Sequence, residues 1–151
     1  MLRLEQEIAE LLEELDQLTI QVCPGLRQTY GIGVDGAATL LVAVGDHHER
    51  LRWDAAFASL CGISPLPASS GKTIRHRLNR GGNRQANGTL HRVAVVRLRW
   101  HEQTKAYAAR RMGEGRSKAE MMRCLKRFIA REVFHTMLGR AAVRTAATGS
   151  I

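Results

Sequence analysis

Apolar residues in the first helical stretch fall at Leu4, Ile8, Leu11, Leu15 and Leu18, in steps of 4, 3, 4 and 3. This is a heptad seam, and it predicts a short amphipathic helix over residues 1–22, the end of a coiled coil or a helix packed on its own domain. Such a helix cannot bury its stripe alone. Cys23-Pro24-Gly25 breaks it. Gly31-Ile32-Gly33 then predicts a tight turn, with Asp35 as N-cap and a compact apolar helix over 37–44 ended by Gly45. A short helix follows over 54–60, capped by Asp54 and stopped at Gly62. Pro65 and Pro67 hold the chain in an extended loop through Lys72. After Gly81-Gly82, Asn83 is the candidate N-cap of a helix over 84–100, in which Leu90, Val93, Ala94, Arg97 and Leu98 recur at three and four. A further helix spans 103–112 and ends at Gly113-Glu114-Gly115. Ser117-Lys118-Ala119-Glu120 is a capping box. It opens a last long helix with Met122, Leu125, Phe128 or Ile129, Val133 and Met137 on one face. The small, polar residues after Gly139 predict a frayed tail over 141–151. The fold class predicted is all-α.

Composition agrees with helices. Hydrophobic residues make up 44% of the 151 residues but aromatics only 5%, so the core is built from Leu, Ala, Val and Ile. The net charge is +9. A basic balance of this size points to nucleic acid first and an anionic surface second. No apolar run is long enough to span a bilayer and no secretory signal opens the chain, so the expectation is a cytoplasmic protein with no membrane partner. Cys23, Cys61 and Cys124 are odd in number and far apart, which reads as three small buried hydrophobes in a reducing compartment. The charge is also segregated. From Ala55 to His101 there are eight basic residues (Lys72, Arg75, Arg77, Arg80, Arg84, Arg92, Arg97, Arg99) and no Asp or Glu. A solvated face mixes signs, whereas an acid-free run of this length suggests a footprint for a polyanion.

The chemistry centres on Pro67 to Gln85. Gly71-Lys72-Thr73 resembles the end of a nucleotide-binding loop, but that loop needs a glycine at position 66, which is Leu66. Metal binding has little support: His47 and His48 are adjacent, no Cys-x-x-Cys or His-Glu-x-x-His occurs, and the basic stretch lacks paired carboxylates. Two readings remain for Ser69 and Ser70. They present a nucleophile amid Lys72, Arg75, Arg77, Arg80 and Arg84, or the loop simply grips a phosphate backbone. Gly31 and Gly33, at a Gly-x-Gly turn opening a helix, fit a helix-hairpin-helix element that meets a DNA phosphate, or a corner that touches nothing.

Three blocks carry a family resemblance: "PGLRQTYGIGVDGAATLLVAVGD", "FASLCGISPLPASSGKTIRHRLNRGGNRQANGTLH" and "MGEGRSKAEMMRCLKRFIAREVF". In this order they resemble the C-terminal domain of the insertion-sequence transposases called IS-one-ten, over roughly Pro24 to Leu138. The resemblance implies a helical C-terminal transposase domain over 23–140, with a helix-hairpin-helix-like element at 24–46, a serine and basic loop at 63–83 and helices over 84–138. It implies a recombinase whose serine joins DNA covalently, which maps onto Ser70 with Ser69 as the alternative. Nucleic-acid contacts would fall on Gly31, Gly33, Lys72, Arg75, Arg77, Arg80, Asn83 and Arg84. Expected partners are DNA, a structured bridge RNA and further copies of the chain. No cofactor is expected in this chain. Mg2+ belongs to a RuvC-like acidic domain that the sequence lacks, so the chain looks like the C-terminal part of such an enzyme, not active alone.

Overall fold

The structure, a computed structural model, describes residues 1–45, 51–63, 66–70, 73–77 and 82–138, the two short segments 66–70 and 73–77 by their backbone. The described residues form seven helices: α1 Leu2–Val22, α2 Pro24–Gln28, α3 Val34–Val44, α4 Asp54–Leu60, α5 Arg84–Trp100, α6 Glu102–Gly113 and α7 Lys118–Met137. The fold is all-α in its body, as the pattern predicts. One departure lies between α4 and α5. The stretch expected as an extended loop contains strands β1 Leu66–Ser70 and β2 Thr73–Arg77, paired antiparallel. Pro65 and Pro67 favour extended backbone, and cross-strand pairing turns that extension into a ribbon.

Local signals set the helix ends. Asn83 Oδ1 accepts from the Ala86 N–H at 3.0 Å at the start of α5. Ser117 and Glu120 make both reciprocal bonds of the capping box at the start of α7. Two expected caps are shifted. Gly33, not Asp35, is the N-cap of α3, and Trp53, not Asp54, is that of α4. Both acids lie inside the first turn, where a carboxylate still favours the helix dipole. Asp54 accepts the Ala55 N–H at 2.9 Å and Arg131 Nε of α7 at 2.7 Å, so it fastens α4 to α7 as well.

α5 and α7 form the centre. α5 packs on α3, α6 and α7, and α7 on α2, α4, α5 and α6. Leu26, Leu40, Phe57, Leu90, Ile129 and Phe134 are fully enclosed between them. The buried face of α7 is Met121, Leu125, Ile129, Ala130, Val133 and Phe134. Leu125, Ile129 and Val133 lie on the face expected; of the two alternatives Ile129 points in and Phe128 is 54% exposed, while Met121 is buried where Met122 was expected. Two of the three cysteines, Cys23 and Cys61, are buried as expected, whereas Cys124 is only half-buried. The C-terminal part of α1 rests on α2 and α3, with Asp16 held by Arg27 Nε at 2.6 Å. Leu4, Ile8, Leu11 and Leu18 remain exposed. The predicted tail, 141–151, lies outside the described residues.

Candidate functional site: a clamped hairpin on a basic helical body

The ribbon leaves the body between α4 and α5, and its two roots are drawn together. Asn83 N–H donates to the Leu60 carbonyl at 2.7 Å, which joins the first residue of one root to the last turn of α4. Gly82 lies against the Gly62 backbone so closely that a Cβ there would overlap it. Only glycine fits this approach. One turn into α5, Asn87 Nδ2 donates to the Cys61 and Gly62 carbonyls at 3.0 and 3.3 Å. Its Oδ1 accepts from Lys126 Nζ of α7 at 2.7 Å. A single amide thus ties α4, α5 and α7 together beneath the ribbon. Burial lowers the Lys126 ammonium below the usual lysine value, with the nearby Cys61 opposing that shift. Burial likewise pushes the Cys61 thiol up to about 12, with Lys126 opposing, so this thiol is inert packing and not a nucleophile. Sequence reasoning missed Asn87 and Lys126. Nothing local marks an Asn four residues after an N-cap as a clamp, because its partners are 25, 26 and 39 residues away.

The register of the ribbon is Leu66 with Arg77, Pro67 with His76, Ala68 with Arg75, Ser69 with Ile74 and Ser70 with Thr73. Gly71 and Lys72 separate the strands in sequence. Directly opposed residues share a face and successive residues alternate. Position 70 therefore shares a face with 73, 75 and 77, and position 69 shares the other with 74 and 76. Lys72, Arg80 and Gly71 lie outside the described residues, as do His47 and His48.

The remaining candidate positions separate into distinct roles. Asn83 is committed to capping α5, and Arg84, its neighbour at the helix start, is exposed. Gly31 has φ +88°, and a Cβ there would press on Val93 of α5 at 3.2 Å. Its requirement for glycine is met by the turn and by packing. Gly33 has open space in front of it at the N-terminus of α3. Arg92 reaches Asp35 at 3.6 Å beside that opening. Arg97, counted above with the basic footprint, is a core residue 7% exposed. Its Nε donates to the Tyr30 carbonyl at 2.9 Å and its Nη1 to Glu132 at 2.8 Å. The acid-free run is thus one basic residue poorer on the surface than its sequence suggests.

Among the described residues no group of three His, Cys, Asp or Glu is placed to hold a metal ion. The basic stretch itself contains no carboxylate. No described helix is long and apolar enough to cross a membrane.

The sequence model described as the transposase IS116/IS110/IS902 family matches residues 23–109, which takes in the turn at Gly31, the ribbon and α5. The chain is also similar to a Streptomyces coelicolor protein named "Insertion element IS110 uncharacterized 43.6 kDa protein", with 32% identity over 125 residues. That match covers 82% of this chain and 29% of the relative, so the chain spans under a third of the protein it resembles. Matched across its turn, its ribbon and its central helix, the chain belongs to the IS116/IS110/IS902 family of transposases.

Proposed function

We propose that this chain is the DNA-binding and serine-presenting part of an insertion-sequence transposase, with Ser70 as the nucleophile. The observation that carries the choice of Ser70 is the ribbon register. It assigns position 70 to the face of positions 75 and 77, both arginines, and position 69 to that of Ile74 and His76. Phosphoryl transfer gains chiefly from cations facing the non-bridging oxygens, so a hydroxyl on the arginine face is the better placed. A two-stranded ribbon rooted by the Asn87 clamp also gives the backbone at position 70 a more defined place than a free loop does.

In the step proposed, the Ser70 hydroxyl oxygen forms a bond to phosphorus as the bond to a deoxyribose oxygen breaks. The hydroxyl proton passes, through solvent, to the departing oxygen. The phosphoserine ester keeps the bond energy for religation, so no ATP is consumed, in keeping with Leu66 where a nucleotide loop needs glycine. Gly33, Arg84 and the ribbon arginines grip the backbone, and a further acidic domain, DNA and a guide RNA complete the reaction.

The test supplies an acidic RuvC-like domain, fused or in trans, with cognate DNA and any guide RNA. Ser70→Ala should abolish a protein–DNA adduct that survives denaturant while leaving binding within about fivefold, since one hydroxyl among many contacts is worth about 1 kcal/mol or less. Loss in Ser69→Ala alone would move the nucleophile to the His76 face. Adduct in both variants would reduce the ribbon to a phosphate grip and the chain to a non-catalytic nucleic-acid-binding module.

A further inference from the structure

α6 and α7 leave a groove of about 350 Å³ between them, remote in sequence from the ribbon. α6 contributes Tyr107, Arg110 and Arg111, a stripe at steps of three and four. α7 contributes Arg127, Phe128 and Arg131, beside Cys124. The Tyr107 and Phe128 rings meet edge-on with centroids 5.5 Å apart, and Arg110 lies 5.6 Å over the Tyr107 ring. Arg131 is bound to Asp54 and Arg111 to Glu114, at 2.7 and 3.0 Å. Arg111 Nε is buried with no hydrogen-bond partner among the described residues. Arg110 and Arg127 are exposed.

An exposed phenyl ring in a groove walled by guanidiniums is costly to leave against water and is not needed for the core, which Ile129 fills from the next position. Aromatic faces interleaved with arginines match an unstacked nucleotide: the base lies on a ring, and the phosphate takes the guanidinium donors that lack a carboxylate. A duplex hides its base faces and would use only the charges. We propose that the α6–α7 groove is a second nucleic-acid site, which holds one nucleotide of a single strand by stacking on Phe128 and by phosphate contacts to Arg110 and Arg127. It rests on the proposed function only in taking nucleic acid as the partner. The single strand can be DNA or RNA.

Direct binding of the full chain to short labelled oligo(dT) and oligo(U), and to a duplex, tests this without any covalent chemistry. Phe128→Leu should weaken single-strand binding by about 5- to 150-fold, the range that loss of one stacked base implies, and leave duplex binding unchanged. Phe128 is exposed, so the variant should keep its melting temperature, which is measured alongside. Arg110→Gln with Arg127→Gln should weaken the same single strands and flatten their salt dependence. A larger loss on oligo(dT) or on oligo(U) identifies the source of the strand, and either supports the site. The proposal is overturned if Phe128→Leu binds both single strands like the parent, or if it weakens duplex equally. Every arm reads binding alone with Ser70 intact and none reads a covalent adduct, so failure here and failure of the serine reading are separately visible.

Discussion

A single arginine shows how the same charge serves two purposes. Arg97 and Arg99 sit two positions apart in one acid-free run, yet Arg99 is exposed and Arg97 is enclosed between Tyr30 and Glu132. A guanidinium planar fork can donate in two directions at once, here to a backbone carbonyl on the turn before α3 and to a carboxylate on α7. Its Nη2 has no partner among the described residues, so the charge is already incompletely compensated. Glu132→Gln would leave that cation buried with one neutral acceptor in place of a carboxylate. Breaking a fully buried pair costs about 3–5 kcal/mol. The Glu132 side chain is 47% exposed, so solvent replaces part of what is lost, and the expected cost is about 1–3 kcal/mol. Urea unfolding should show this as a lower midpoint at unchanged slope, with nucleic-acid affinity close to that of the parent. Lost affinity at unchanged stability would instead return Arg97 to the binding surface.

Helix boundaries were legible in the sequence because their causes are local. Asn83 and Ser117 lie within three residues of the groups they cap, and Gly45, Gly62 and Gly115 adopt the positive φ that their positions require. The ribbon was legible only as extension, since its pairing partners are set across a turn and not by either strand alone. The inward face of α7 was legible at Leu125 and Val133, with the choice between Phe128 and Ile129 left open. Phe128 is as apolar as Ile129, and only the neighbouring helices decide which one is enclosed. The clamp beneath the ribbon was not legible at all, because Gly82 looks like any loop glycine until Gly62 is seen against it. That contact gives an element-scale expectation. Gly82→Ala inserts a methyl group where the Gly62 backbone lies, and forced overpacking costs about 1–3 kcal/mol. Cys61 reports on the site. With its thiol held at about 12, roughly one part in ten thousand is ionised at pH 8, and it is buried, so it should alkylate very slowly in the parent. Gly82→Ala should speed Cys61 alkylation, mapped by peptide mass, while Cys124 reacts at its former rate. Slow Cys61 alkylation together with unchanged stability would mean that the roots can separate freely.

The molecule as a whole carries two surfaces of opposite sign. α1 bears Glu5, Glu7, Glu10, Glu13, Glu14 and Asp16 with Arg3 as its one basic residue, whereas the chain has a net charge of +9. Its apolar seam is bare: Leu11 is 65% exposed and Leu4 63%. We expect the seam to pair with another copy of α1. Salt should then act in opposite directions. Screening relieves the repulsion between acidic helices and favours association, while it weakens the proposed grip on phosphates, with a log–log slope of about −4 to −5 for five contacts. Sedimentation should show association rising with salt and disappearing in Leu11→Glu, and thermal melting of the dilute chain should be unaffected by that change. Association that falls with salt would point to contact between α1 and a basic face instead. The closure of Gly62 on Gly82 has a separate consequence for how such a molecule can be altered. Because the chain returns to where it left, the segment between Ile63 and Gly82 is an insertion whose length the helices do not sense, and loop-closure entropy changes only slowly with its size. A chain joined across that point by a few residues keeps every contact of α4, α5 and α7 named above. It would be a folded body without the part proposed to react, and the loss of Lys72, Arg75, Arg77 and Arg80 with it would separate any binding supplied by α3 and α5 from the binding the ribbon adds.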